Sequence, residues 1–311
     1  MPPVLSVYQL TRSYGPVKAI RDLSFEVPDK SVFGILGPNG SGKTTLLATV
    51  MDVLKPDQGS VRWFDRVADS ASRKKIGTLL ETPNFYPYLS ARDNLRLSAR
   101  IKGCQPGEVE RVLAVVGLAA RSRDVFRTFS LGMKQRLAIG AALLGSPPVV
   151  VLDEPTNGLD PVGIADIREL IRGMGREGKT VIIASHLLDE VEKICTHVAI
   201  LKTGALVACG PVSEVLARDE VLEVAASDPG KLREVLGAHP VVRSLSEADH
   251  GVMLVTLKEP VEAAALNRYC FEREVILDHL VRRQKSLELA FLELTGPVTP
   301  NPVTAPKTNR P

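Results

Sequence analysis

The sequence predicts an α/β fold built on a mainly parallel sheet, followed by a small α+β unit, and three observations carry that expectation. Short β-branched runs bounded by turn signals, SVFGILG (31–37), PVVVLDE (148–154) and TVIIAS (180–185), suit strands buried on both faces of a parallel sheet. Helical stretches alternate with such runs over residues 1–210, which is the rhythm of that class. From residue 211 the pattern restarts with a separate set of strands and helices.

Taken in order, the strand at 31–37 feeds a glycine-rich turn and then the apolar helix TTLLATVMDVL (44–54). A mostly helical insert is expected over about 87–145. Within it, SARDNLRLSARIKG (90–103) places Ser90 and Asp93 at capping-box spacing. FSLGMKQRLAIG (129–140) reads as a second helix start at Ser130 and Gly132, with Leu137, Ala141 and Leu144 recurring at helical spacing. Free N–H groups and about half a unit of positive charge gather at such a start, which suits a phosphate. Beyond 211 the expected order is strand 221–226, helix 230–236, strand 251–258, helix 260–269, strand 273–280 and helix 286–294. The nearest template for residues 211–296 is a split βαβ arrangement. The tail PVTPNPVTAPKTNRP (297–311) is expected to be disordered, with proline at one position in three.

Composition narrows the function classes. With 44% hydrophobic and 24% charged residues the chain is ordinary for a globular protein, and its net charge of +3 is interleaved rather than blocked. No nucleic-acid partner is expected. The opening MPPVLSVYQLTRSYG lacks a basic-then-apolar leader, and the longest uncharged run, Leu137 to Leu152, is broken by Gly145, Pro147 and Pro148. Direct membrane insertion is therefore not expected. Cys104, Cys195, Cys209 and Cys270 are scattered and read as reduced thiols of a cytoplasmic protein, without metal-ligand spacing.

GPNGSGKTT, residues 37–45, fits G-x-x-x-x-G-K-[ST] between a strand and a helix, the context that gives the motif its meaning. Gly37, Gly40 and Gly42 let backbone N–H groups close around a β-phosphate. Lys43 is placed to reach the β- and γ-phosphates, and the Thr44 hydroxyl to coordinate Mg²⁺. Asp153 and Glu154 follow four apolar residues at the carboxyl end of a strand, where ligands of open α/β sheets gather. Asp153 can hold Mg²⁺ through water, and Glu154 can accept a proton from attacking water. No N-K-x-D run is present to read guanine, which argues for ATP. His186, after the strand ending at Ser185, could reach the γ-phosphate or serve as a structural residue. Tyr14 could stack on adenine or fill a turn.

Together these motifs resemble the ATP-binding subunit of an ABC transporter over about residues 4–210. The resemblance implies a P-loop ATPase core with an antiparallel β subdomain and a helical insert. It also implies that Gly37, Pro38, Asn39, Gly40, Ser41, Gly42, Lys43, Thr44 and Thr45 form Walker A and that Tyr14 is the adenine-stacking aromatic. Asp153 and Glu154 match Walker B with its catalytic glutamate, NGLD (157–160) the D-loop with Asp160, and His186 the switch histidine. SLGMK (130–134) matches the signature motif, whose Ser130 and Gly132 would cap the γ-phosphate held by a second ATP-binding subunit. In such a head-to-tail pair one chain carries half of each site.

Two positions depart from the family pattern: Met133 follows Gly132 where a second glycine is usual, and Glu81 stands at the Q-loop position in place of Gln. Glu81 keeps an oxygen that could touch Mg²⁺ but loses the amide donor; a plain surface acid is the alternative. With NFYPYLSARDNL and SLELAFLELTG, these departures resemble the exporters of drugs, bacitracin-like peptides and antibiotic self-resistance. The expected partner is a transmembrane permease, reached through a groove around Glu81 to Leu89 and holding the chain at the inner face of the membrane. The alternatives are a soluble, non-transport ABC ATPase and a nucleotide-binding regulator. His239, His250 and His279 have no ligand spacing, so residues 211–296 carry no readable chemistry.

Overall fold

In the computed structural model, residues 2–80, 84–216, 220–247, 252–259, 261–283, 287 and 291 are described. Glu81, His250, the tail 297–311 and all of the helix expected over 286–294 except Leu287 and Phe291 lie outside them. Strands β1 (Pro3–Tyr14) and β2 (Val17–Pro28) pair antiparallel across a tight turn at Gly15. Next come β3 (Val32–Leu36), helix α1 (Lys43–Val50), β4 (Gln58–Trp63) and β5 (Arg66–Val67). One antiparallel sheet runs β2-β1-β4-β5. It is fastened to α1 by Trp63, fully buried, whose indole N–H donates to the Val50 carbonyl at 2.8 Å.

Helix α2 (Ser70–Arg73) and strand β6 (Ile76–Leu79) lead into the insert, formed by α3 (Ala91–Lys102), α4 (Glu108–Val115) and α5 (Leu131–Leu143). Ser90 caps α3, its oxygen accepting from Asp93 N–H at 3.1 Å while its hydroxyl donates to the Asp93 carboxylate at 2.6 Å. The chain then alternates β7 (Val149–Asp153), α6 (Pro161–Arg176), β8 (Thr180–Ser185), α7 (Leu188–Ile194), β9 (His197–Lys202) and β10 (Ala205–Pro211). These build a second sheet in the order β10-β9-β3-β8-β7-β6, parallel except for β10. Its central strands are apolar throughout because both faces are covered. Phe33, Ile35, Val149, Val151, Ile182 and Ala184 join the core beneath the antiparallel sheet and α1, while Val150, Leu152, Val181 and Ile183 join the core shared with the insert.

Helix α8 (Val212–Leu216) packs on that second core through Val212 and Val215, so the core extends past the expected limit at residue 210. The remaining elements are β11 (Glu220–Ala226), α9 (Pro229–Gly237), β12 (Val242–Glu247), β13 (Met253–Leu257), α10 (Ala263–Phe271) and β14 (Leu277–Arg283). Their antiparallel sheet runs β12-β13-β11-β14, the split βαβ arrangement, over a core of its own. Two details differ from expectation. Strand β12 is additional, and the strand expected at 273–280 begins only at Leu277 because α10 and the turn after it occupy the preceding residues.

Candidate functional site

Three adjacent strands of the second sheet, β3, β8 and β7, end on one side, and each is followed by a residue of interest. After β3 the chain turns through Gly37 to Gly42 into α1. Gly42 sits at φ +102°, and a Cβ there would meet the Ala19 carbonyl oxygen at 2.3 Å. Only glycine fits that approach. At Gly37 the same atom would strike the Leu201 carbonyl oxygen at 2.5 Å, so protein packing, before any phosphate, excludes a side chain. The first backbone bond of the helix runs from Leu46 N–H to Gly42 O at 2.8 Å. The amides ahead of it, at Lys43, Thr44 and Thr45, therefore belong to the unpaired first turn.

Lys43 is buried, and its ammonium donates to the carbonyls of Gly37 at 2.8 Å and Pro38 at 3.4 Å while standing 3.4 Å from Glu154 Oε1. Glu154 Oε2 meets His186 Nδ1 at 2.8 Å. The carboxylate is thus held from both sides. Glu154 N–H donates to the Ala184 carbonyl at 2.9 Å, and its φ of +46° lies in the left-handed region. A non-glycine residue pays of order 1–3 kcal/mol for such a conformation and keeps it where the surroundings dictate it. Asp153, the residue before, is buried at the strand end.

A pocket of about 530 Å³ opens over this turn, lined by Asn39, Gly40, Gly42, Lys43, Thr44, Thr45 and Glu154 on one side. Tyr14, Val17, Lys18, Ala19, Arg21 and Thr203 complete it. Tyr14 is 46% exposed, and the Arg12 guanidinium lies 5.3 Å from its ring centroid. Arg12 is braced in turn by Asp57 at 2.8 Å. The Ser13 N–H and the Arg12 guanidinium hold the Asp57 carboxyl below the usual carboxylate range. Lys18, Arg21, Thr203 and the Arg12 brace were not legible in the sequence. They come from β1, β2 and the turn after β9, and only Arg12, two residues before Tyr14, carries a local hint.

Ser41 fits a phosphate cradle as well. It is buried, and its hydroxyl oxygen has no hydrogen-bond partner among the described residues, which folding alone leaves costly. Thr44 and Asp153 offer hard oxygen donors of the kind Mg²⁺ takes alongside phosphate oxygens. Glu81 lies outside the described residues.

The second phosphate-suited helix start lies elsewhere. Ser130 caps α5, its oxygen accepting from Met133 N–H at 3.3 Å. Asp160 caps α6, accepting from Gly163 N–H at 2.9 Å. These two caps, with Gly132 and Gly158, line a pocket of about 390 Å³ that shares no residue with the one over Lys43. Leu131 and Val162 flank it, 47% and 69% exposed. Within one chain, Ser130, Gly132 and Asp160 are therefore not brought to the P-loop pocket.

Comparison with known proteins follows the same lines. The family model described as ABC transporter matches residues 20–157. The bacitracin transport ATP-binding protein of Bacillus licheniformis is 33% identical over 302 residues, covering 95% of this chain and 98% of that protein. A lantibiotic transport ATP-binding protein of Streptococcus pyogenes is 35% identical over 204 residues, 66% of this chain and 89% of its own length. Among solved structures, cbiO1 from Clostridium perfringens, part of the ABC transporter complex cbiONQ, superposes with a TM-score of 0.64. It is 29% identical and matches over 70% of this chain and 92% of that one.

Proposed function

The chain belongs to the ATP-binding proteins of ABC transporters, and from that premise we propose that two copies close around two ATP molecules and drive a separate membrane permease. As a member it binds ATP and is an ATPase subunit that works with a transmembrane permease. The observation that carries the dimer reading is the separation of the two phosphate-suited sites. Ser130 and Gly132 line a different pocket from Lys43, which supports their completing the phosphate cradle of a second ATP-binding subunit.

In this reading the triphosphate lies on the amides of Gly40 to Thr45, with Pro38 and Asn39 shaping the turn, and the adenine meets Tyr14. An arriving phosphate competes for the Lys43 ammonium, now shared between the Gly37 carbonyl and Glu154. Glu154 is thereby released to accept a proton from water, while His186 keeps hold of its other oxygen. The Thr44 hydroxyl and Asp153 would hold Mg²⁺, with Glu81 as a further candidate; the ion would neutralise phosphate charge. Asp160 acts by fixing the start of α6 beside the signature helix, at the dimer face.

The names of the bacitracin and lantibiotic relatives support an exporter of a drug, peptide antibiotic or lipid-like compound. The permease would dock on the loop before α3 and hold the chain at the inner face of the membrane. In the described part of that loop Tyr86 and Tyr88 are exposed, and Asn94 anchors the Tyr86 backbone with bonds of 2.9 and 3.1 Å. Among the described residues no helix is long and apolar enough to cross a membrane. Residues 211–296 would form an accessory domain centred on the separate core between Leu222 and Leu280, with α8, Leu287 and Phe291 lying on the ATPase core instead.

The test is Glu154→Gln. Loss of a general base slows turnover by about 10²–10⁴-fold, while ATP still binds and the closed dimer accumulates. Sizing in ATP and Mg²⁺ should show a doubled mass. A protein that stays monomeric there, alone and with its permease, overturns the dimer reading.

A further inference from the structure

Resting on the reading that Glu154 and His186 carry out hydrolysis, we propose that Phe291 is a positioning residue for that pair, and that through it the C-terminal segment sets the ATPase rate. After β14 the chain returns to the ATPase core. Leu287 is fully buried among the residues that the insert and the second sheet share. Its backbone N–H donates to the Glu192 carboxylate of α7 at 2.8 Å. Phe291 is also helical and stands four positions on, the spacing that puts two side chains on one helix face. It packs on the same core and lines an open pocket of about 230 Å³ with Gly37, Pro38, Asn39, His186 and Leu188.

Helix α7 begins two residues after His186, so whatever holds α7 sets where the imidazole sits. On one side Arg168 of α6 grips Glu190 with bonds of 2.8 and 3.0 Å. On the other, Leu287 is tied to Glu192 and Phe291 lies with Leu188 and His186. The His186 side chain is itself 35% exposed, so its own burial does not lock its rotamer. Phe291 lines the same pocket as the imidazole, so its ring limits the space open to the His186 side chain. The walls of the pocket are the first three residues of the P-loop turn and the residue after β8. Movement of the C-terminal segment is thereby transmitted to the groups that hold the base.

The experiment uses the full-length chain. Phe291→Ala should lower kcat for ATP about tenfold, within the range that an ångström of misplacement costs. KM should stay within about twofold, because Lys43 and the P-loop amides are untouched. Phe291→Leu, which keeps apolar bulk, should restore at least half of the rate. Independently of activity, ¹⁵N-histidine spectra should show the His186 signal, assigned by its loss in His186→Ala, shifting in Phe291→Ala while those of His197, His239 and His279 hold. Wild-type kcat with an unmoved His186 signal overturns the proposal, as does a raised KM at unchanged kcat. If Phe291→Ala does not fold, Glu192→Gln loosens the same segment without emptying the core. It should cost two- to threefold in kcat and move His186, and wild-type behaviour in both readings overturns the proposal. A wild-type chain that hydrolyses no ATP, alone or with its permease, would instead overturn the functional reading, and the His186 shift would still decide the packing.

Discussion

Lys43 is the residue on which the nucleotide's charge depends, and its position shows why. Its ammonium is buried yet keeps two carbonyl acceptors and an anionic neighbour, so it is poised to exchange partners rather than buried without one. Charge-assisted hydrogen bonds contribute roughly 1.5–3 kcal/mol each. Lys43→Ala should therefore weaken ATP binding by about 10- to 100-fold, with secondary structure unchanged; a binding titration with a wild-type constant would contradict the cradle assignment. Chemistry of this kind was legible in the sequence because the motif residues adjoin one another. The pairing of Glu154 with His186 was not, since nothing local links the turn after β7 to the turn after β8.

Among the elements, the end of α5 shows what holds the insert together. Glu108 at the start of α4 accepts from Arg111 at 2.8 and 3.0 Å and from Gly145 N–H at 3.1 Å, and Arg111 also donates to the Leu143 carbonyl. The Arg111 guanidinium first, then the Gly145 amide, hold the Glu108 carboxyl below the usual carboxylate range, against the opposing effect of burial. Because the folded value is depressed, the stabilisation is present above the unfolded value of about 4.3 and is lost as pH falls through the folded one. Glu108→Gln should cost about 1 kcal/mol near pH 7, and urea midpoints of variant and wild type should converge on acidification. A gap that is constant with pH would remove the charge from the explanation. Strands β4 and β12 escaped the sequence reading for a related reason. β4 buries only Val61 and Trp63, and β12 half-buries only Val242 and Leu245, so each has too few apolar positions to stand out from a loop.

For the whole molecule, two arrangements invite tests. If each ATP is held between the P-loop of one copy and Ser130 of another, Ser130→Arg and Lys43→Ala should each be nearly inactive alone. Coexpressed, half of the dimers are mixed and each has one intact site, so roughly a quarter of wild-type ATPase should return if the sites act independently. Full activity of pure Ser130→Arg protein at any concentration would show that this helix start never meets a neighbour's nucleotide. The second arrangement is the return of Leu287 to the core that the insert and the second sheet share. A fragment of residues 1–216 keeps every described residue of the P-loop pocket and should bind ATP, but it leaves that site uncovered. Exposing one buried leucine position costs about 2 kcal/mol, so the fragment should melt several degrees below the full chain. Equal melting temperatures would mean that the contact adds nothing to stability.

The reaction and the family were legible in the sequence, because the phosphate cradle, the acidic strand end and the signature helix are each short, contiguous runs whose backbone context is local. The parallel core was legible too, since strands covered on both faces must be apolar without interruption. Which of these runs share a site depends on how the strands are ordered in the folded sheet. Lys43, Glu154 and His186 meet because β3, β8 and β7 are neighbours, an order that no local preference encodes. The same packing puts Ser130 out of reach of its own P-loop pocket and carries Leu287 and Phe291 back to α7. Such long-range contacts depend on burying apolar surface across the whole fold, and that information is spread over many residues rather than written in any one motif.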